Sequence, residues 1–148
     1  MPKLDLIKTF QFEAAHRSAH GSDPDRLHGH SYQIDLVVEG ELDPTLGWVI
    51  DYADISEAFA PIYDQLDHRT LNDIEGLTDT TLPSLHTWIV EHTKRLIPLL
   101  KDINLTILGE CAFGETILSS TDVNDVGDRV RFGFEASHAL PKLPPDHK

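Results

Sequence analysis

The chain has 148 residues, of which 40% are hydrophobic and 25% charged, and its formal net charge is −13. That length fits one domain with a real core. The acidic balance argues against a nucleic-acid partner, which needs a basic stripe, and no run of about eighteen apolar residues offers a membrane span. The single cysteine, Cys111, excludes an intrachain disulfide. With no apolar signal-like core after Met1-Pro2-Lys3, the expectation is a cytoplasmic protein.

Residues 4–15 read as a strand. Leu4, Leu6, Phe10, Phe12 and Ala14 fall on even positions with Asp5 and Gln11 between them, and Lys8 interrupts the alternation. The polar stretch 17–26 reads as a loop. A second strand runs from about Ser31 to Glu39, with Tyr32, Ile34, Leu36 and Val38 on one side. A turn region follows from Gly40 to Gly47. Asp54, with Glu57 three residues on, predicts a helix start with a capping-box pattern. Ile55, Phe59, Ile62 and Leu66 then form one apolar stripe. A second helix is expected near Pro83, and Pro98 should kink or end it. Ile103, Leu105 and Ile107 alternate as a third strand leading to Glu110, and a fourth is expected near 116–119. Two strands, two helices and two strands predict an α+β fold, with an antiparallel sheet and both helices on one face.

Three histidines fall within fifteen residues: His16, His28 and His30. On an extended chain, alternate residues share a side, so His28 and His30 can aim at one point across Gly29. His16 ends the first strand and can arrive from a neighbouring one. Three neutral imidazoles with an open fourth position make a catalytic zinc site. A His-x-His pair alone is a weak signal; its company strengthens it.

Phe12-Glu13-Ala14-Ala15-His16, Leu27-His28-Gly29-His30, Leu66-Asp67-His68 and Glu110, in this order, resemble the 6-pyruvoyltetrahydropterin synthase family. Within it the likeness is strongest to the bacterial queuosine-pathway branch, the 6-carboxytetrahydropterin synthases. The resemblance runs from about Leu6 to Leu118. It implies a tunnelling fold whose four-stranded antiparallel sheets join edge to edge in homo-oligomers, trimers or hexamers, with sites at subunit boundaries. It also implies a zinc-dependent lyase acting on 7,8-dihydroneopterin triphosphate to give 6-carboxy-5,6,7,8-tetrahydropterin. In that reading His16, His28 and His30 hold Zn2+, Glu110 binds the pterin, and Asp67 and His68 relay protons.

The family places a cysteine base four residues before the first histidine of His-x-His; this chain has Pro24 there. Asp25, Asp23 and Cys111 are the candidates to replace it, and Asp25 stands where some family variants carry an acidic residue. An acidic base implies an alternative chemistry, aldol-type cleavage of the side chain toward a folate precursor. The second helix also departs from the family's Thr-x-Glu start, reading Thr80-Thr81-Leu82-Pro83-Ser84. Finally, Phe132-Gly133-Phe134-Glu135-Ala136-Ser137-His138 repeats residues 10–16 at an offset of 122, with five of seven positions identical. Residues 1–119 are therefore expected to form the pterin synthase-like domain. Residues 120–148 read as a linker and the truncated start of a second copy, or else as a decayed extension. In a tandem protein this copy could be a catalytically degenerate half that binds zinc and pterin.

Overall fold

The computed structural model describes residues 2–17 and 24–108. Strand β1 (Lys3–Arg17) and strand β2 (Leu27–Glu41) pair antiparallel along their whole lengths. Helix α1 (Tyr52–Leu66) leads to a two-residue strand β3 (Arg69–Thr70) and a single 3-10 turn (Leu71–Asp73). Helix α2 (Leu82–Leu96) and strand β4 (Leu100–Leu108) follow. The sheet order is β3-β1-β2-β4.

The expectation of a purely antiparallel sheet is wrong. β3 pairs parallel with β1, Ala14 opposite Arg69 and Ala15 opposite Thr70. Helix α1 carries the chain back along the sheet, so the segment leaving it runs in the direction of β1 rather than against it. Among the described residues this short strand is the fourth; the strand expected near 116–119 lies outside them. So do Asp23, Glu110, Cys111 and the repeat at 132–138.

Alternation explains the two faces of the sheet. Even positions of β1 and β2 join odd positions of β4 in one core, because Tyr32 pairs with Ile107, Ile34 with Leu105 and Leu36 with Ile103. Both helices lay their stripes on this face: Ile55, Phe59, Ile62 and Leu66 from α1, and Leu85, Trp88 and Ile89 from α2. Phe10 meets Phe59 with ring centroids 4.8 Å apart. Lys8, out of pattern in the sequence, sits on the same face and spreads its ammonium over Phe10 and Tyr52. Pro83 occupies the first turn of α2, and Pro98 lies just beyond the helix end. Among the described residues, no helix is long and apolar enough to cross a membrane.

Helix α1 starts three residues earlier than its capping-box pattern suggests. Its N-cap is Asp51, whose carboxylate accepts the Ala53 N–H at 2.8 Å, and Asp54 lies in the first turn. Asp51→Ala is expected to cost about 1 kcal/mol, the usual value of such a cap. Asp54→Ala should cost far less, and urea midpoints of the two variants test the assignment.

Candidate active site

The antiparallel register sets His16 opposite His28 and Ala14 opposite His30. All three histidines occupy even positions and project from the helix-covered face. His16 and His30 are buried and His28 is half-buried. The His16 Nε2 lies 3.0 Å from the His28 Nε2 and 3.1 Å from the His30 Nε2. The rings stand edge to face, with centroids 4.5 to 5.1 Å apart. Below them Phe12 and Tyr32 stack at 4.7 Å, and Tyr32 meets His30 edge-on. The cluster therefore sits on an aromatic floor.

This donor set fits a metal ion. One ligand nitrogen from each ring falls within 4.8 Å of the others. Tetrahedral bonds of about 2.0–2.1 Å would separate ligand nitrogens by roughly 3.3 Å, close to the spacings seen. Without a cation or a bridging proton, the converging lone pairs of three neutral imidazoles repel one another.

Asp67 and His68 close helix α1. The Asp67 N–H donates to the Tyr63 carbonyl, and His68 adopts φ 56°, the left-handed position that glycine usually fills after a helix. The pair is tied to β1 twice: Glu13 N–H donates to Asp67 Oδ1 at 3.0 Å, and His68 N–H donates to the Glu13 carbonyl at 2.6 Å. The Asp67 Oδ2 and His68 Nδ1 are 2.8 Å apart, while the imidazole itself is 77% exposed. Burial disfavours the Asp67 charge, but hydrogen bonds from the Glu13 amide and from His68 outweigh it and hold the carboxyl below its ordinary 3.8. A depressed folded pKa gives stability that is present above pH 3.8 and is lost as pH falls through the folded value. Asp67→Asn should therefore lower the urea midpoint at neutral pH. The gap to wild type should close below pH 3.8. A gap that does not change with pH would contradict this.

His68 is not part of the group of converging imidazole nitrogens formed by His16, His28 and His30 among the described residues. His68 lines a cavity of about 520 Å³ whose other walls include His30 as well as Glu13, Ala15, Gly29 and Ser31. The last four are odd positions, whose side chains belong to the opposite face of the sheet. There Ser31 donates to both carboxylate oxygens of Glu13 at 2.8 Å. Pro24 and Asp25 form a turn just ahead of β2, and Asp25 is exposed. Sequence reasoning missed Thr80 as a neighbour of the cluster. Its buried hydroxyl lies 3.0 Å from His16 Nδ1.

A mixed sheet with both helices on one face and a three-histidine cluster on its first hairpin defines an α+β protein with a metal-competent site. The chain belongs to the 6-pyruvoyl tetrahydropterin synthase family, whose sequence profile matches residues 5–109. It is 31% identical over 96 residues to a dihydroneopterin monophosphate aldolase of Pyrococcus furiosus, an alignment covering 65% of this chain and 80% of that one. It is 34% identical over 90 residues to a 6-carboxy-5,6,7,8-tetrahydropterin synthase of Synechocystis, covering 57% and 70%. The solved 6-pyruvoyl tetrahydropterin synthase of Caenorhabditis elegans superposes with a TM-score of 0.63 at 27% identity, covering 82% of this chain and 98% of that one.

Proposed function

We propose that the chain is a zinc-dependent lyase acting on the side chain of a phosphorylated dihydropterin. The observation that carries this reading is the convergence of His16, His28 and His30, with nitrogens 3.0 and 3.1 Å apart over an aromatic floor. These residues would hold the ion and leave one position for substrate. When bound, zinc supplies a Lewis acid that polarises side-chain oxygens and acidifies neighbouring protons. The substrate in this reading is 7,8-dihydroneopterin triphosphate and the product 6-carboxy-5,6,7,8-tetrahydropterin, on the queuosine route; the Synechocystis relative's name supports it. Asp67 accepts from His68 Nδ1 and leaves Nε2 at the exposed end of the ring to take or give a proton. Glu110 is assigned to bind the pterin's N–H donors, as a carboxylate can accept two in parallel.

Because His68 is bonded beside Glu13, an odd position, while His16, His28 and His30 occupy even ones, we assign the proton relay of each site to another copy of the chain. This makes a homo-oligomer, a trimer or hexamer, part of the proposal.

A second reading has its own observation. Pro24 carries no titratable group where a cysteine base would stand, and Asp25 beside it is an exposed carboxylate next to β2. Asp25 as base would support aldol-type cleavage toward a folate precursor, in keeping with the name of the Pyrococcus furiosus relative. A third reading follows from the repeat at 132–138: residues 1–119 as one domain of a tandem protein, binding zinc and pterin while a second copy reacts.

One assay separates the three. Zinc-loaded protein is incubated with dihydroneopterin triphosphate and the products are identified by mass. The 6-carboxy product is expected. A hydroxymethyl pterin would shift the assignment to aldol cleavage, with Asp25→Ala expected to abolish it. No turnover despite bound zinc and pterin would leave the tandem-half reading.

A further inference from the structure

The geometry points to Thr80 as the positioning residue that sets the tautomer of His16 and so prepares the imidazole cluster for an ion. The inference rests on the metal reading above and deepens it. Thr80 lies in the loop ahead of α2 and is 6% exposed. Its Oγ1 is 3.0 Å from His16 Nδ1 and 3.3 Å from the carbonyl oxygen of Arg17.

Counting protons limits the two bonds to two arrangements. A threonine hydroxyl has one proton to give and lone pairs to accept with. The Arg17 carbonyl can only accept, so in the first arrangement the proton of Thr80 goes there. What faces His16 is then a lone pair, and Nδ1 is the donor. A neutral imidazole protonated at Nδ1 carries its free lone pair on Nε2. That is the nitrogen 3.0 Å from His28 and 3.1 Å from His30.

The acceptor that takes the Thr80 proton is itself held. Arg17 N–H donates to Asn72 Oδ1 at 2.7 Å, and Asn72 Nδ2 donates back to the Arg17 carbonyl at 3.1 Å. The 3-10 turn thus fixes the end of β1, the end of β1 orients the hydroxyl, and the hydroxyl orients the ring. The reverse arrangement is also consistent with these distances. If Thr80 donates to Nδ1, the proton of His16 sits on Nε2 and bridges toward another imidazole. That state suits a cluster without metal. Exchange of the ion for a proton would therefore reverse the Thr80 hydroxyl.

The test compares zinc affinity, by competition with a chromogenic chelator, in wild type, Thr80→Ser and Thr80→Val. Valine keeps the volume and removes the hydroxyl. Thr80→Val is expected to bind zinc about 10- to 100-fold more weakly, as loss of such a supporting partner usually does, with Thr80→Ser close to wild type. Equal affinity in all three would overturn the inference while leaving the metal reading intact. A second measurement uses wild type alone. Nitrogen-15 spectra of the zinc-loaded protein should show His16 protonated at Nδ1 and metal-bound at Nε2; the opposite assignment overturns the inference whether or not the valine variant folds. Wild type that binds no zinc removes the metal reading, and this inference with it.

Discussion

His28→Ala is expected to lower bound zinc from about one per chain to well below it, because two imidazoles leave a tetrahedral ion short of protein ligands. The loss should exceed the roughly 10- to 100-fold that removal of a supporting partner costs. His28 is the residue to choose among the three. His16 and His30 are buried against the core, so alanine there also opens a cavity, and lost metal would be confounded with lost packing. His28 is half-buried at the loop end of the hairpin, and its ring can be removed with the Phe12–Tyr32 floor still in place. Elemental analysis after dialysis reads the metal, and an unchanged urea midpoint for the metal-free protein shows that the fold survives. Full retention of zinc by the alanine variant would remove His28 from the ligand set. Glu110→Gln is the companion measurement: weaker pterin binding with zinc retained is expected, since it removes a charged acceptor and no ligand.

The parts of this site that share a period were legible in the sequence. His28 and His30 are two apart on a strand, so period 2 alone puts them on one face, and the same count places Tyr32 and Ile34 in the core behind them. The pairing of His16 with His28 follows from an antiparallel hairpin in which each strand turned out to be fifteen residues long. What stayed hidden has no period. β3 is two residues, Arg69 and Thr70, defined by the neighbour it runs beside and not by its own pattern. The start of α1 was misjudged because Asp51 and Asp54 are equally good caps by residue type; the choice falls to whichever carboxylate reaches a free N–H, and that is Asp51. Thr80 stands in a threonine-rich loop where no spacing distinguishes one hydroxyl from the next. Its contact with His16 spans 64 positions and exists only once the sheet and α2 are assembled. The face that His68 occupies was equally unreadable, since a left-handed residue after a helix can send its side chain to either side of the sheet.

Mixing His28→Ala chains with His68→Ala chains is expected to restore turnover that neither variant has alone. The argument is geometric. His28 projects from the helix-covered face, and His68 lines a cavity with Glu13 and Ser31 of the other face and with His30. If each site takes its imidazoles from one copy and its proton relay from another, a mixed assembly contains some sites that draw the intact half of each variant. With random pairing at equal amounts, a half-chance for each contribution gives roughly a quarter of the wild-type sites. A site complete within one chain predicts none, because every chain then carries its own lesion. The two variants must be unfolded and refolded together, or expressed together, so that subunits exchange; the same variants mixed after folding serve as the control. Recovery near a quarter in the co-refolded sample and little in the control supports a site shared between copies. No recovery, with intact mixed oligomers seen by native mass spectrometry, would place the relay and the imidazoles in one chain and require His68 to reach around the edge of its own sheet.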